Sequence, residues 1–184
     1  MALLGILQLR AERHLILLKS YPLLYYSRFA WATWYNCDMK ILWTDGSASP
    51  NPGPGGFAVI EQDASGRGVP VVLGSEPKTT NIRMEGKAMI VAIKYAGSEG
   101  CEIHSDSEFW LNVLTKWAEK WQANGWKKKN GPILNLEIVQ ELYELYHAYP
   151  VKIVWVRGHV GTELNELTDE WANKARMGAK LPEM

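Results

Sequence analysis

Three features of the sequence predict an α/β domain, a mixed five-stranded sheet with helices on both faces. Short apolar, β-branched runs end in Gly, Pro or Asp, longer stretches repeat apolar residues every three or four positions, and the two kinds alternate in the order βββαβααβα. The sequence carries no internal repeat or low-complexity tract, so a single sheet covered by helices is the economical assembly.

Lys40 to Thr44 is a short apolar run that delivers Asp45 and Gly46 at its carboxyl end. Pro50 to Gly56, dense in Pro and Gly, predicts a turn, after which Phe57 to Ile60 and Val69 to Leu73 read as two more antiparallel strands. From Asn81 the spacing becomes helical, with Met84, Ala88, Val91, Ala92 and Tyr95 on one face and Gly97 near the stop. Cys101 to Ser105 is a strand ending in Asp106. Helical segments then run through Trp117 and Trp121, and another is expected from about Pro132 to Ala148, the proline in its first turn. Val151 to Val156 alternates as a fifth strand, and Gly158-His159-Val160-Gly161 leads to a last helix around Leu164 to Arg176.

Composition narrows the class. Of 184 residues, 47% are hydrophobic, enough for a substantial core, and the formal net charge is zero, so attraction to phosphates must come from a local patch. Cys37 and Cys101 have neither metal-site spacing nor the number of a disulfide framework, and both are read as reduced thiols. Residues 1–38 stand apart as an N-terminal extension: Arg10, Arg13, Lys19 and Arg28 against Glu12 and Asp38 give a net of +2, whereas 39–184, the expected domain, carries −2. Charges interrupt its apolar stretches too often for a membrane span, and they follow the apolar run where a secretory signal would place them before it. Non-native or upstream-translated sequence ranks first for this segment, a helical docking segment second and an organelle leader third. A cytoplasmic location is the expectation.

Two acids, Asp45 and Asp106, end predicted strands, while Glu85 and Asp169 lie on the first and last long helices. Ligands of open α/β sheets gather beyond the carboxyl ends of strands, and oxygen donors without nearby Cys suit Mg²⁺ or Mn²⁺. Taken singly, each acid is more often a turn former or a solvated helix residue.

The set is more specific than its members. Thr44-Asp45-Gly46-Ser47, Asn51-Pro52-Gly53-Pro54-Gly55-Gly56, Thr80-Asn81-Ile82-Arg83-Met84-Glu85 and Ser105-Asp106-Ser107 occur in that order, followed by Val156-Arg157-Gly158-His159 and Asn165-Glu166-Leu167-Thr168-Asp169. Together they resemble the type 1 ribonuclease H family across nearly all of 39–178. The resemblance implies the ribonuclease H-like sheet, three antiparallel strands followed by two parallel additions. It also implies an endonuclease that hydrolyses the RNA strand of RNA–DNA hybrids by two-metal-ion catalysis, leaving 3′-hydroxyl and 5′-phosphate ends. The catalytic acids it implies are Asp45, Glu85, Asp106 and Asp169, with His159 as the mobile-loop histidine. Asp45 would bridge two Mg²⁺ ions, Asp106 and Asp169 would flank them, Glu85 would also reach the substrate, and Mn²⁺ would substitute for Mg²⁺. Four clustered acids repel one another until a cation arrives, so Mg²⁺ is expected to raise stability.

For the substrate, the resemblance implies hybrid contacts from Asn51, Asn81, Asn165 and the backbone near Ala48, and a phosphate grip from Thr79 or Thr80 with Arg83. Between Lys116 and Lys129, five lysines interleave with Trp117, Trp121 and Trp126 against one acid, Glu119, resembling the family's basic protrusion. Trp117, Lys120, Trp121, Lys127 and Lys128 are its expected contacts to the DNA strand, although an amphipathic helix with buried Trp and solvated Lys would read the same way. Ile82 stands where Asn is usual, Ala48 where Cys is common, and Gln122-Ala123-Asn124 dilutes the basic stretch, all departures in substrate grip rather than in the acids. A monomer without membrane attachment is expected. The rival readings are an integrase- or resolvase-like nuclease of the same broad fold, a hybrid-binding module without catalysis, and a domain detached from a reverse transcriptase.

Overall fold

The computed structural model describes residues 39–181, and the expectations for residues 1–38, Cys37 among them, lie outside the described residues. Five strands form one sheet: β1 (Lys40–Ala48), β2 (Gly53–Gln62), β3 (Gly68–Thr79), β4 (Cys101–Ser105) and β5 (Val151–Trp155). Their spatial order is β3-β2-β1-β4-β5. β2 pairs antiparallel with β1 and β3, and β4 pairs parallel with β1 and β5, the predicted mixed sheet. β1 is thus central, with Asp45 opposite Ala58 and Leu42 beside Ile103.

Helix α1 (Asn81–Ala96) follows β3 directly, and Thr80 caps it by accepting the Arg83 amide at 3.4 Å. Helices α2 (Glu108–Asn112) and α3 (Ala118–Ala123) run on through a π-helical turn over Val113–Trp117. α4 spans Leu136–Ala148 and α5 spans Glu163–Arg176. Side chains alternate across a strand, and consecutive residues here part between two cores. Leu42 and Val59 join Met89, Ile93, Trp110, Val139 and Leu142 beneath α1, α2 and α4, whereas Trp43 and Ile60 meet Leu164, Leu167 and Trp171 of α5. Helices therefore cover both faces. Trp110, fully buried, also donates its indole N–H to the Ile82 carbonyl at 2.7 Å, pinning α2 to the first turn of α1.

Two sequence expectations are corrected. The Pro50–Gly56 turn is shorter than predicted, because Gly53 to Gly56 already belong to β2: Gly55 and Gly56 pair with Ala48 and Ser47, and with Glu76 and Ser75 on the other side. These glycines are consumed by packing rather than left as an open approach for a ligand, since a Cβ on Gly56 would sit 2.2 Å from the Arg176 amide of α5 and one on Gly55 2.2 Å from Thr79 Cγ2. The helix expected from Pro132 begins instead at Leu136. Asn135 turns the chain with φ 56°, and its carbonyl receives the first helical N–H groups, those of Ile138 and Val139. Among the described residues no helix is long and apolar enough to cross a membrane.

β1 and α1 touch at Gly46. A Cβ there would lie 2.2 Å from the Glu85 amide and 2.6 Å from Met84 Cβ, distances that only backbone movement relieves. Gly46→Ala should therefore cost about 2–3 kcal/mol, lowering the unfolding midpoint by roughly 5–10 °C. An unchanged midpoint in thermal unfolding followed by circular dichroism would show that the strand and helix are not in such contact.

Candidate active site

The strand–helix contact at Gly46 fixes the two acids on either side of it, Asp45 on β1 and Glu85 on α1. β4, parallel to β1, places Asp106 immediately past its carboxyl end, and α5 crosses the opposite face carrying Asp169. The four predicted acids share one neighbourhood. Burial pushes the Asp45 carboxyl well above the ordinary aspartate range, and the charges of Asp106, Asp169 and Glu85 push it further, against a hydrogen bond from the Gly46 amide. Burial also raises Glu85, opposed by the Ser107 hydroxyl and reinforced by Asp106.

Each acid is held through one oxygen by a neutral donor. The Gly46 amide donates to Asp45 Oδ1 at 2.7 Å, and Ser107 Oγ donates to Glu85 Oε2 at 2.5 Å. Asn165 Nδ2 donates to Asp106 Oδ2 at 3.2 Å, and Asn173 Nδ2 to Asp169 Oδ1 at 3.0 Å. Among the described residues the second oxygen of each acid accepts no hydrogen bond, and no Lys or Arg is ion-paired to any of the four. Like charges are gathered, oriented and left without a protein cation. Such a donor set suits a hard divalent ion, although among the described residues no three of these groups stand close enough together to enclose one as they are.

Ser107, Asn173 and Ser47 are members that the sequence reading missed. Ser107 was visible as the residue between Asp106 and a helix start, and Asn173 as one turn beyond Asp169. Ser47's link to Asn173 spans 126 positions and left no local signal. Asn165 was expected to contact substrate, but it is buried and its amide is spent on Asp106, so it orients a carboxylate. His159 is exposed on the loop after β5 in a left-handed conformation, φ 55°. That loop lies against the acids: a Cβ on Gly158 would come 2.6 Å from Asp106 Oδ2.

The other expected substrate residues do not all gather in one place. Asn51, Thr80, Trp117, Lys120, Trp121 and Lys128 do line one cleft, of about 750 Å³, with Ile82, Phe109, Ile133, Leu134 and Asn135. Trp117 and Trp121 sit 5.8 Å apart, tilted, and Trp117 meets Phe109 edge-on. Lys127 falls instead in a smaller neighbouring hollow with Trp126 and Lys128. The Ala48 amide donates to Asn81 Oδ1 at 2.6 Å, leaving the Asn81 amide group as a donor, and Asn51 is exposed. Arg83 and Thr79 are otherwise placed than expected. Arg83 is paired with Glu137 at 2.5 Å and Asn135 at 3.1 Å, and Thr79 is buried with its hydroxyl lacking a partner. Cys101 is buried and free, its thiol pushed up to about 12 by burial, which makes it inert at neutral pH.

Because the folded state raises Asp45 and Glu85, it binds protons more tightly than the unfolded chain there. Their contribution to stability is full below the ordinary carboxylate range, about pH 4, and is lost as pH rises through the raised values. In chelator, Asp45→Asn should match wild type near pH 4 and exceed it at pH 7 by roughly 2–4 °C in midpoint. A gap that does not widen with pH would contradict the crowding of charge at Asp45.

The RNase H family model matches residues 38–177. A ribonuclease H of Granulibacter bethesdensis is 39% identical over 145 residues, covering 74% of this chain and 91% of the relative. One from Syntrophomonas wolfei is 40% identical, covering 73% and 94%. One from Methylorubrum extorquens is 38% identical, and the matched part spans 60% of its length. Among solved structures, LC9-RNase H1, described as a type 1 RNase H with the type 2 active-site motif, is similar at 31% identity and TM-score 0.68, covering 77% of this chain and 74% of that one. LC11-RNase H1, solved in complex with an RNA/DNA hybrid, is 25% identical with TM-score 0.55 over 75% of this chain and 96% of that one. By sequence and by fold, the chain belongs to the RNase H family of ribonuclease H enzymes.

Proposed function

We propose that the chain hydrolyses the RNA strand of RNA–DNA hybrids, with Asp45, Glu85, Asp106 and Asp169 holding two divalent ions, Mg²⁺ or in its place Mn²⁺. The observation that carries this reading is the group of four acids, each tethered by one oxygen to a neutral donor with the other left open. Bound there, a pair of such ions supplies an activated water, neutralises charge at phosphorus and stabilises the leaving oxygen, giving 3′-hydroxyl and 5′-phosphate ends.

The chain's own part is placement. Each tether fixes one oxygen of its acid and leaves the other free to turn toward an ion, so that the acids need only close in around it. His159, exposed on the loop whose Gly158 packs against Asp106, handles a proton and assists product departure. The Asn81 amide group, oriented by the Ala48 N–H, and Asn51 read the 2′-hydroxyls that a hybrid's shallow minor groove presents. In the adjoining cleft Lys120 and Lys128 neutralise phosphates of the DNA strand while Trp117 and Trp121 pack against its sugars. Arg83 contributes to phosphate binding only by sharing itself with Glu137. The domain acts as a monomer within 39–184, with residues 1–38 an extension outside it.

Cleavage of an end-labelled hybrid, beside RNA duplex, DNA duplex and single strands, tests this. Cutting should be confined to the RNA of the hybrid, require Mg²⁺ and disappear in Asp45→Asn; a hybrid that binds but stays intact with Mg²⁺ and with Mn²⁺ would turn the assignment to a binding module. His159→Ala should lower kcat about 10²-fold with KM nearly unchanged. Equal losses in both would remove the histidine from the chemical step.

A further inference from the structure

The tether of Asp169, on the last helix, leads back across the fold to the strand carrying Asp45. Asn173, one turn further along α5, donates from Nδ2 both to Asp169 Oδ1 and to the Asp169 carbonyl, each at 3.0 Å. Its Oδ1 accepts from Ser47 Oγ at 2.7 Å, and Ser47 lies two residues past Asp45 on β1. The orientation of this amide is forced by chemistry. Reversed, its oxygen would face a carboxylate and a carbonyl, neither of which can donate. Both amide hydrogens and the amide oxygen are therefore committed, and the side chain is a rigid link between α5 and β1.

We infer that Asn173, held by Ser47, is a positioning residue for metal binding, which aims the open Oδ2 of Asp169 and keeps it in register with Asp45. This rests on the reading of the four acids as a divalent-ion site. Without Asn173 the Asp169 carboxylate loses its only side-chain partner among the described residues and turns about its own bond, so the ion must pay for ordering it. Outer partners of metal ligands commonly matter about 10–100-fold in affinity. Ser47 acts only through Asn173, so its loss loosens the link without removing it, and the two substitutions should not add.

The test is titration of chelator-stripped protein with Mn²⁺ alone, counting free ion by electron paramagnetic resonance, with thermal unfolding in chelator as the check on folding. Asn173→Ala should weaken Mn²⁺ about tenfold and Ser47→Ala a few-fold, and the double variant should match Asn173→Ala. A structural role alone would lower the metal-free midpoint and leave the affinity of the folded protein where it was. Wild-type affinity in Asn173→Ala overturns the inference, as does additivity in the double variant. Should Asn173→Ala fail to fold, Ser47→Ala carries the test, and unchanged Mn²⁺ binding there overturns it equally. Wild-type protein that binds no Mn²⁺ instead sinks the reading of the acids as a metal site, and the inference with it.

Discussion

A central strand and a helix can approach until their backbones touch only where no side chain stands between them, and in this chain that place is Gly46. The glycine follows Asp45 on β1, and the backbone it meets on α1 belongs to Met84 and Glu85. One missing Cβ thus sets the separation of two carboxylates carried 40 residues apart in sequence. The remaining acids are referred to the same strand. β4 runs parallel to β1 and delivers Asp106 at its end, and α5 packs on the other face, where Gly56 gives it similar access to the sheet. The sheet order, with β1 in the middle, is what permits helices on opposite faces to contribute to one edge.

That convergence is electrostatically unfavourable in the protein alone. Burial and three neighbouring negative charges act together on Asp45, and the groups that hold the acids are an amide N–H, a hydroxyl and two carboxamides, none carrying charge. Lysine or arginine in those places would relieve the repulsion and occupy the open oxygens. Neutral tethers instead fix direction and leave the charge uncompensated, so that it is available to a cation. Stability is given up at the site and recovered elsewhere, in Trp110 and the aliphatic core beneath α1 and in the smaller cluster beneath α5.

The sequence was informative where chemistry is local. The succession of strands and helices followed from periodicity, and the candidate acids from the ordered strings that carry the family resemblance. It was less informative where a residue's role depends on what lies across the fold. The glycines at 55 and 56 look like a turn because a turn is the commonest local reason for glycine, and only the packing of α5 and Thr79 reveals another. Nothing local to Arg83 reveals that it is shared with Glu137, and nothing local to Asn165 reveals that it is buried on Asp106. Pro132 looks like a helix start, but the left-handed turn at Asn135 displaces it. The link from Ser47 to Asn173 joins the first strand to the last helix and has no counterpart in any window of sequence.

The central claim is that the four acids form an electrostatically strained site that a divalent cation relieves. Thermal unfolding of chelator-stripped protein titrated with Mg²⁺ reads this directly, without substrate. The account predicts a saturable rise in midpoint, about 1.4 kcal/mol at ten times the dissociation constant, that is absent in Asp45→Asn. A wild-type midpoint indifferent to millimolar Mg²⁺, or an equal rise in Asp45→Asn, would contradict it.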